Sequence, residues 1–308
     1  MNTLENIVVA AALDRRDATT IRHAARIANA FHAKTVSVAH VEPPLDWAHQ
    51  VLGGISAGNH HDRPAEERLQ RLVDEARGSF PVSTSVQAAI RYGARVPELL
   101  KIAADQRADL LVLGRRPRDE HDVVSDAVVK LEWKSPCSVL IIPEDFTTHC
   151  ERILVACDFS EHSREALAVA AALARATPHC SLVVEHVYTL PAVPMMSGRS
   201  VSEMSAAIRE EAQRRWNEFI STSPLEDVRH TLRLEEADNV PEAITRAAVA
   251  TDSQLIVVGS HGLSPRAGAL LGHVADSVCA RTARPFLCVK RKGEVVGLLQ
   301  ALLGIFER

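Results

Sequence analysis

The sequence predicts an α/β fold: two tandem, doubly wound domains, each built on a five-stranded parallel sheet. Three observations support this prediction. Segments of the chain repeat at a nearly constant offset, short apolar strands alternate with helices, and 308 residues are about the length of two domains.

Segments of the first half return in the second half at a nearly constant distance. The offset is 146 residues for two pairs (153 − 7 and 186 − 40) and 145 for a third (259 − 114). The pairs are Glu5–Ala10 with Glu151–Ala156, Val38–Val41 with Val184–Val187, and Asp109–Gly114 with Gln254–Gly259. Chance similarity between strands rich in alanine and valine would not keep this spacing, so the repeat indicates a duplicated domain.

The predicted strands are short apolar runs without polar alternation, which is typical of a parallel sheet covered by helices on both faces. In the second half, the strand Arg152–Cys157 precedes the helix Glu161–Ala176, for which Ser160 or Ser163 is the candidate cap. The last strand is Pro285–Val289. Five strands with four crossover helices fit a flavodoxin-like topology with strand order 3-2-1-4-5.

These elements divide the chain into domains at residues 1–145 and 150–292, joined by the linker Pro143–Cys150. Residues 293–308 form a third unit, a C-terminal helix with a broad apolar surface. We expect this helix to pack onto a domain or across a dimer. An interfacial membrane helix is the alternative.

Composition excludes several classes of protein. A net charge of −4 and a pI near 6.4 provide no basic field for nucleic acid. No segment reaches the roughly 18 apolar residues of a membrane span, and the N-terminus does not resemble a cleavable signal. The six cysteines form no CxxC pair, which favours buried free thiols in a reducing compartment. We therefore predict a cytoplasmic protein.

In the second half, unusual residues follow the two strands between which the strand order reverses. The first strand continues into Asp158, and the fourth ends at Gly259, followed by Gly262 and a helix that begins near Gly272. Ligands of doubly wound sheets bind at this point. Glycines let backbone amides approach an anion, and a helix start adds unpaired donors. An ordinary structural turn is the alternative.

The spacing Gly259-x2-Gly262-x9-Gly272 resembles that of the ATP-binding universal stress proteins. The similarity extends over the second half and the overall plan of the first. Its clearest segments are Ile153–Ser160 (ILVACDFS), His186–Val187, Val257–Gly262 (VVGSHG) and Leu270–Asp276 (LLGHVAD). The chain is thus similar to a tandem, two-domain member of the UspA-like family.

The resemblance implies an adenine-nucleotide site in the second domain. Ala156 and Asp158 would line the nucleoside pocket, and Val187 and Val258 would flank the adenine. The residues assigned to the ribose and phosphates are Gly259, Gly262, Gly272, His273, Val274 and Ala275. The implied ligand is ATP, AMP or ADP, with Mg²⁺ as a possible companion.

Two histidines need separate interpretation. The family has Ser or Thr where this chain has His273, whose imidazole could donate to a phosphate or crowd a triphosphate. For His261, a loop-shaping role is favoured over metal or acid–base chemistry. No catalytic residue is identified, so any enzymatic activity is at most slow ATP hydrolysis.

The first half lacks the residues of this site. At the offset of 146, Ala12 takes the place of Asp158, and Pro117 takes the place of the second glycine and removes an amide donor. We expect the first domain to be a non-binding structural partner. The resemblance further implies that the domains pair through their last strands, Ser138–Pro143 and Phe286–Arg291.

The sequence thus predicts a cytoplasmic stress-response protein that binds an adenine nucleotide in its C-terminal domain. A homodimer is expected, and nucleic acid and a membrane span are not. The alternatives are a nucleotide-free scaffold and a weak ATPase.

Overall fold

The computed structural model describes residues 4–42, 65–115, 135–144, 146, 149–190, 200–261 and 273–291. Its first half contains β1 (Asn6–Ala10), α1 (Asp17–Phe31), β2 (Thr35–Glu42), α2 (Ala65–Arg77), β3 (Ser85–Tyr92), α3 (Arg95–Asp105), β4 (Leu110–Arg115) and β5 (Ser138–Pro143). The second half contains β6 (Arg152–Ala156), α4 (Glu161–Arg175), β7 (Ser181–Tyr188), α5 (Val201–Ile220), β8 (His230–Glu236), α6 (Val240–Ala250), β9 (Leu255–Gly259), α7 (His273–Arg281) and β10 (Phe286–Val289). The predicted glycines Gly262 and Gly272, Pro117 and the C-terminal helix lie outside the described residues.

The strands form one ten-stranded sheet in the order β3-β2-β1-β4-β5-β10-β9-β6-β7-β8. Each half therefore has the order 3-2-1-4-5, as predicted, and neighbouring strands within a half are parallel. The halves join where β5 and β10 pair antiparallel, with Leu140 opposite Leu287. The predicted pairing of the last strands is thus present within a single chain.

The two faces of the sheet carry separate apolar cores, because successive side chains of a strand point to opposite faces. The first core packs the sheet against α1, α2, α4 and α5, and the second packs it against α3, α6 and α7. Each core contains residues of both halves: Leu140 and Leu287 in the first, Ile141 and Phe286 in the second. The seam between the halves is therefore continuous with the interior.

The duplication is also visible in the backbone. Leu13 and Phe159, which are 146 residues apart, both have a positive φ, at 58° and 65°. Arg107 and Asp252, 145 residues apart, each have a φ of 47°. Non-glycine residues rarely adopt this conformation, so its recurrence at the repeat offsets shows that the same turns formed twice.

Local signals set the helix starts of the second half. The hydroxyl of Ser160 accepts a hydrogen bond from the Ser163 amide at 3.2 Å, so Ser160 is the cap of α4. Ser200 and Glu203 form a capping box at α5, in which each side chain accepts from the other's backbone amide. At α6, Asn239 accepts from the Glu242 amide. None of the helices among these described residues is both long and apolar enough to cross a membrane.

Two buried basic side chains cross the seam between the halves. The guanidinium of Arg115, at the end of β4, donates to the carbonyl oxygens of Cys279, at 3.0 Å, and Thr282. These carbonyls belong to the C-terminal end of α7, where helix carbonyls lack intrahelical partners. Lys290 donates through Nζ to the carbonyl oxygen of Ser135 at 3.0 Å. A first-half arginine thus closes the helix that starts near the predicted phosphate site.

Candidate functional site

The tips of β6 and β9 meet at the carboxyl edge of the second half. β6 lies between β7 and β9, and Val155 is in register with Val257. Asp158 follows β6 by two residues, and Gly259 is the last residue of β9. Both therefore lie at the same edge of the sheet, where the strand order reverses and where doubly wound folds bind ligands.

Four of the predicted site residues share one face of the sheet. Ala156, Val187 and Val258 all contribute to the second core, the one covered by α6 and α7. Ala275, in the first turn of α7, is 2% exposed and belongs to the same core. The structure thus brings the predicted adenine-flanking side chains and the base of the predicted phosphate helix to one side of the sheet.

The remaining predicted residues of α7 face outward. His273 and Val274 are the first two residues of the helix, and both are exposed. Amides in the first turn of a helix have no intrahelical acceptor, and the helix dipole places partial positive charge there. The start of α7 can therefore receive an anion through its backbone, with His273 at its rim.

A tight turn fixes the carboxylate of Asp158. Its Oδ1 accepts a hydrogen bond from the Ser160 amide at 3.0 Å, and Phe159 between them has a φ of 65°. Asp158 is half-buried, and Ser160 immediately caps α4. The strand, the turn and the helix cap together hold this acid at the strand tip.

His186 on β7 supports this turn from the other side. Its Nδ1–H donates to the carbonyl oxygen of Cys157 at 2.8 Å, and its ring stacks on Phe159 with centroids 4.3 Å apart. Burial lowers the pKa of His186, so the ring is neutral at physiological pH. The first half repeats the arrangement, with His40 donating to Ala11 at 2.9 Å.

The structure gives Gly259 a packing role as well. A Cβ at this position would lie 2.7 Å from the backbone carbonyl carbon of His162, in the first turn of α4. At the matching Gly114, a Cβ would meet the side-chain hydroxyl of Thr20 at 2.8 Å. Position 259 therefore needs a glycine so that β9 can pack closely against α4, whether or not a ligand approaches the Gly259 amide.

His261 contacts its neighbour Ser260 and a residue of α4. Its Nδ1 lies 3.1 Å from the hydroxyl of Ser260, and its ring is 5.2 Å from the ring of His162. Within the described part of the chain, no group of three or more His, Cys, Asp or Glu side chains could hold a metal ion. The loop-shaping role of His261 stays a prediction.

The first half folds the equivalent turn around a carboxylate of its own. Asp17, in the first turn of α1, accepts hydrogen bonds from the amides of Ala12 at 2.9 Å and Asp14 at 3.1 Å. It is 3% exposed, and burial raises its pKa. The Asp14 carboxylate is paired with Arg16. The amides at this strand tip therefore already donate to a carboxylate of the same chain, that of Asp17.

Sequence reasoning missed a buried acid beneath the candidate pocket. Glu185 on β7 is in register with Ala156 and is 1% exposed. Its Oε2 accepts from Arg233 at 2.8 Å, whereas its buried Oε1 has no partner among the described residues. Burial raises the pKa of Glu185 to about 7. One signal in the sequence could have identified it: Glu185 is an acid within an otherwise apolar strand, and the matching residue of the first half is Ala39.

Glu185 is the buried end of a chain of charges. Arg233 also pairs with Glu235 at 3.5 Å, and Glu235 pairs with Arg246 on α6. The Glu185 side chain is fully buried, whereas the side chains of Arg233, Glu235 and Arg246 are 39%, 20% and 55% exposed. These ion pairs thus form a chain from the protein surface to the buried carboxyl of Glu185, which lies on the same face of the sheet as the candidate pocket.

The fold defines a class: a duplicated, doubly wound α/β protein, in whose second half an acid follows the strand at the point of strand reversal. The sequence model of the universal stress protein family matches the chain twice, at residues 3–143 and 149–290. The chain therefore belongs to the universal stress protein family as a tandem, two-domain member, which confirms the resemblance found in the sequence.

Solved structures agree with this fold. A universal stress protein from Archaeoglobus fulgidus is 16% identical, with a TM-score of 0.62, over 95% of this chain and 98% of its own. A protein from Pseudomonas aeruginosa described as a putative universal stress protein is 19% identical, with a TM-score of 0.65, over 98% of both chains.

A universal stress protein in complex with cAMP is 24% identical over 46% of this chain and 99% of its own, with a TM-score of 0.36. No curated protein matches the chain in sequence.

Proposed function

We propose that the second domain binds an adenine nucleotide, ATP or the related ADP or AMP, in a cytoplasmic stress-response protein. The first domain is its non-binding structural partner. One observation carries the proposal: Asp158 and the end of β9 meet at the point of strand reversal. In the first half, the corresponding turn is occupied by the carboxylate of Asp17.

The surroundings of this point suit a nucleotide. Ala156, Val187 and Val258 offer an apolar face for a base, and small-molecule pockets combine such faces with a few polar groups. Asp158 supplies an acceptor for a ribose hydroxyl or a base amine. The start of α7 supplies amide donors for a phosphate, and Arg115 closes the other end of that helix.

Magnesium is proposed only as the counter-ion of a bound triphosphate. The described residues contain no cluster of ligating side chains that would hold the ion without a nucleotide. Mg²⁺ prefers to keep several waters and to bind through a carboxylate or two plus substrate phosphates. Asp158 is the candidate carboxylate, and ATP affinity should then depend on Mg²⁺ while AMP affinity should not.

Isothermal titration of the full chain with ATP, ADP, AMP and cAMP, each with and without Mg²⁺, tests the proposal. We expect one nucleotide per chain. Asp158→Asn keeps an acceptor for the Ser160 amide but removes the charge, so affinity should fall about tenfold while the fold is kept. Asp14→Asn, the same change at an acid in the equivalent turn of the first half, should leave affinity unchanged.

Two results would contradict parts of this proposal. Two nucleotides per chain would show that the first domain also binds. No heat and no thermal shift with any nucleotide would favour the scaffold function, in which surfaces alone act. The packing role of Gly259 supports this second candidate, because that glycine needs no ligand to explain it.

A homodimer is a further proposal. Because β5 and β10 pair with each other inside one chain, strand pairing between copies would have to use β3 or β8, the edge strands of the sheet. Mass in solution tests the oligomeric state. The same measurement after deletion of residues 293–308 tests the apolar tail, and an unchanged oligomer would exclude it as the dimer contact.

A further inference from the structure

Two cysteines lie side by side where β6 and β7 begin. Arg152 is in register with Ser181, and the Ser181 amide donates to the carbonyl oxygen of Glu151 at 2.9 Å. Cys150 directly precedes Glu151 and Cys180 directly precedes Ser181, and the side chains of both cysteines pack against the first core. The fold thus joins two thiols that are 30 residues apart in the chain (180 − 150).

The two thiols differ in exposure and surroundings. Cys150 is partly exposed and lines a cavity of about 50 Å³ between the halves, together with Arg26 of α1. Cys180 is 7% exposed and borders a surface groove that also contains Arg175 and Arg229. Small oxidants therefore have a route to the pair from either side.

The electrostatics assign different roles to the two sulfurs. Contact with the Cys150 thiol, together with the positive charge of Arg229, lowers the pKa of Cys180, whereas the pKa of Cys150 is raised. A thiolate is the reactive form of cysteine, and nearby arginines stabilise it. Arg229 also donates to the carbonyl oxygen of His179, the residue before Cys180, at 2.7 Å. Cys180 is therefore assigned as the nucleophile, and Cys150 as the thiol that would resolve its oxidised form.

The other four cysteines are isolated from this pair. Cys137 and Cys157 are 5% and 4% exposed, and burial raises the pKa of each to about 11. Cys279 and Cys288 are fully buried. Buried, protonated thiols react slowly, so oxidation should be selective for the pair at the start of the second domain.

We propose that Cys150 and Cys180 are a redox modification site that closes to a reversible disulfide when the protein meets a hydroperoxide. The site lies apart from the candidate nucleotide pocket, because it is at the amino ends of β6 and β7 and the pocket is at the carboxyl ends. It is also confined to the second domain, since the matching residues of the first half at the offset of 146 are Leu4 and Lys34.

The reaction balances with one peroxide per disulfide. The Cys180 thiolate attacks one peroxide oxygen, the O–O bond breaks, and the other oxygen leaves and is protonated to water. Cys180 is then a sulfenic acid. The sulfur of Cys150 attacks this sulfenic sulfur, the S–S bond forms, and the S–O oxygen leaves with the thiol proton as a second water.

The test uses the reduced full chain, treated under native conditions with hydrogen peroxide. Remaining thiols are then blocked with N-ethylmaleimide after denaturation, and tryptic peptides are examined by mass spectrometry. We expect two of the six thiols to become protected, a cross-link between Cys150 and Cys180, and full reversal by dithiothreitol. Protection of no thiols, or cross-links that do not join this pair, would overturn the proposal.

Three variants sharpen the experiment. The tryptic peptide 135–152 carries both Cys137 and Cys150, so Cys137→Ala is the matched control and must still form the cross-link. Cys150→Ser should leave a Cys180 sulfenic acid that dimedone traps. Cys180→Ser should give no dimedone adduct at Cys150, with circular dichroism as the check on folding.

If Cys180→Ser fails to fold, the dimedone result with Cys150→Ser decides alone. An adduct at Cys180 then supports the assignment, and the absence of an adduct overturns it. An adduct at Cys150 in folded Cys180→Ser would also overturn the assigned order of attack.

Discussion

The turn after β1 and the turn after β6 have the same backbone but differ in the position of one acid. Leu13 and Phe159 share the left-handed conformation, and His40 and His186 hold equivalent carbonyls. In the second half the acid is at the strand tip, at Asp158. In the first half it lies in the first helical turn, at Asp17, where it accepts from the strand-tip amides.

This difference shows how two copies of a duplicated domain can keep one fold and still differ in the polar groups at the strand tip. The strand-tip turn of this fold exposes amides that need an acceptor, because buried unpaired donors are costly. The first half supplies the acceptor permanently from its own chain. In the second half the strand-tip acid Asp158 accepts from the Ser160 amide instead.

The largest expected effect concerns Glu185, which stands where the first half has Ala39. Its pKa is raised from 4.5 to about 7 by burial, so the native state holds a proton that the unfolded chain releases. Native stability should therefore fall as pH rises from about 4.5 through 7, by roughly 3 kcal/mol at most. Urea unfolding of the wild type and Glu185→Gln at several pH values measures this.

The informative quantity is the difference in unfolding free energy between the two proteins, because other titrating groups cancel. Glu185→Gln is neutral at every pH and should become progressively more stable than the wild type above pH 5. A difference that stays constant between pH 4.5 and 8.5 would show that Glu185 is ionised normally in the fold.

The two matched glycines should respond unequally to alanine. Gly259→Ala places a methyl group 2.7 Å from the backbone of His162, which can move only with α4, so we expect a loss of roughly 2–3 kcal/mol. Gly114→Ala meets only the Thr20 hydroxyl, which can rotate, so its loss should stay below about 1 kcal/mol. Urea unfolding at one pH compares them, and equal losses would contradict the packing argument.

Removal of the internal anion of the first half should cost somewhat less. Asp17→Ala leaves the amides of Ala12 and Asp14 without their acceptor, and we expect a loss of about 2 kcal/mol in unfolding free energy. Ser163→Ala, at the matching position of the second half, removes a hydroxyl that donates to the Ser160 carbonyl oxygen and accepts a weak hydrogen bond from the Cys157 thiol, and should cost about 1 kcal/mol. An unchanged free energy of unfolding for Asp17→Ala would mean that water can satisfy these amides. The Asp17 carboxylate would then not be needed as their acceptor.

The smallest effect is expected at His273. Its side chain is exposed at the start of α7, where an interaction with a bound phosphate is worth about 0.3–1 kcal/mol. His273→Ser, which restores the residue type usual in the family, should therefore change ATP affinity by less than about fivefold. Isothermal titration measures this, and a gain of more than tenfold would show that the imidazole obstructs the triphosphate.

The fold could be predicted from the sequence because its signals are local or repeat along the chain. The apolar run of Arg152–Ala156, the serine cap at Ser160 and the constant offset each needed only neighbouring residues or a second copy for comparison. The pairing of β5 with β10 was implied by the family resemblance. The apolar character of these strands was compatible with that pairing but did not specify the partner.

The missed features depend on residues that meet only in the folded chain. Arg115 reaches the end of α7 from 164 residues away, and nothing near it in sequence marks a buried role. Cys150 and Cys180 were interpreted singly, because no short spacing links them. Glu185 resembles any exposed acid until its neighbours Ala156 and Arg233 are placed beside it.

The antiparallel seam between β5 and β10 has one more consequence. When two identical subunits associate, their pairing weakens on dilution, and any site lost by one is lost by both. Here both sheets belong to one polypeptide, so the pairing does not depend on protein concentration. One half can then diverge in sequence while the other keeps its chemistry, an asymmetry that a symmetric assembly of identical chains could not maintain.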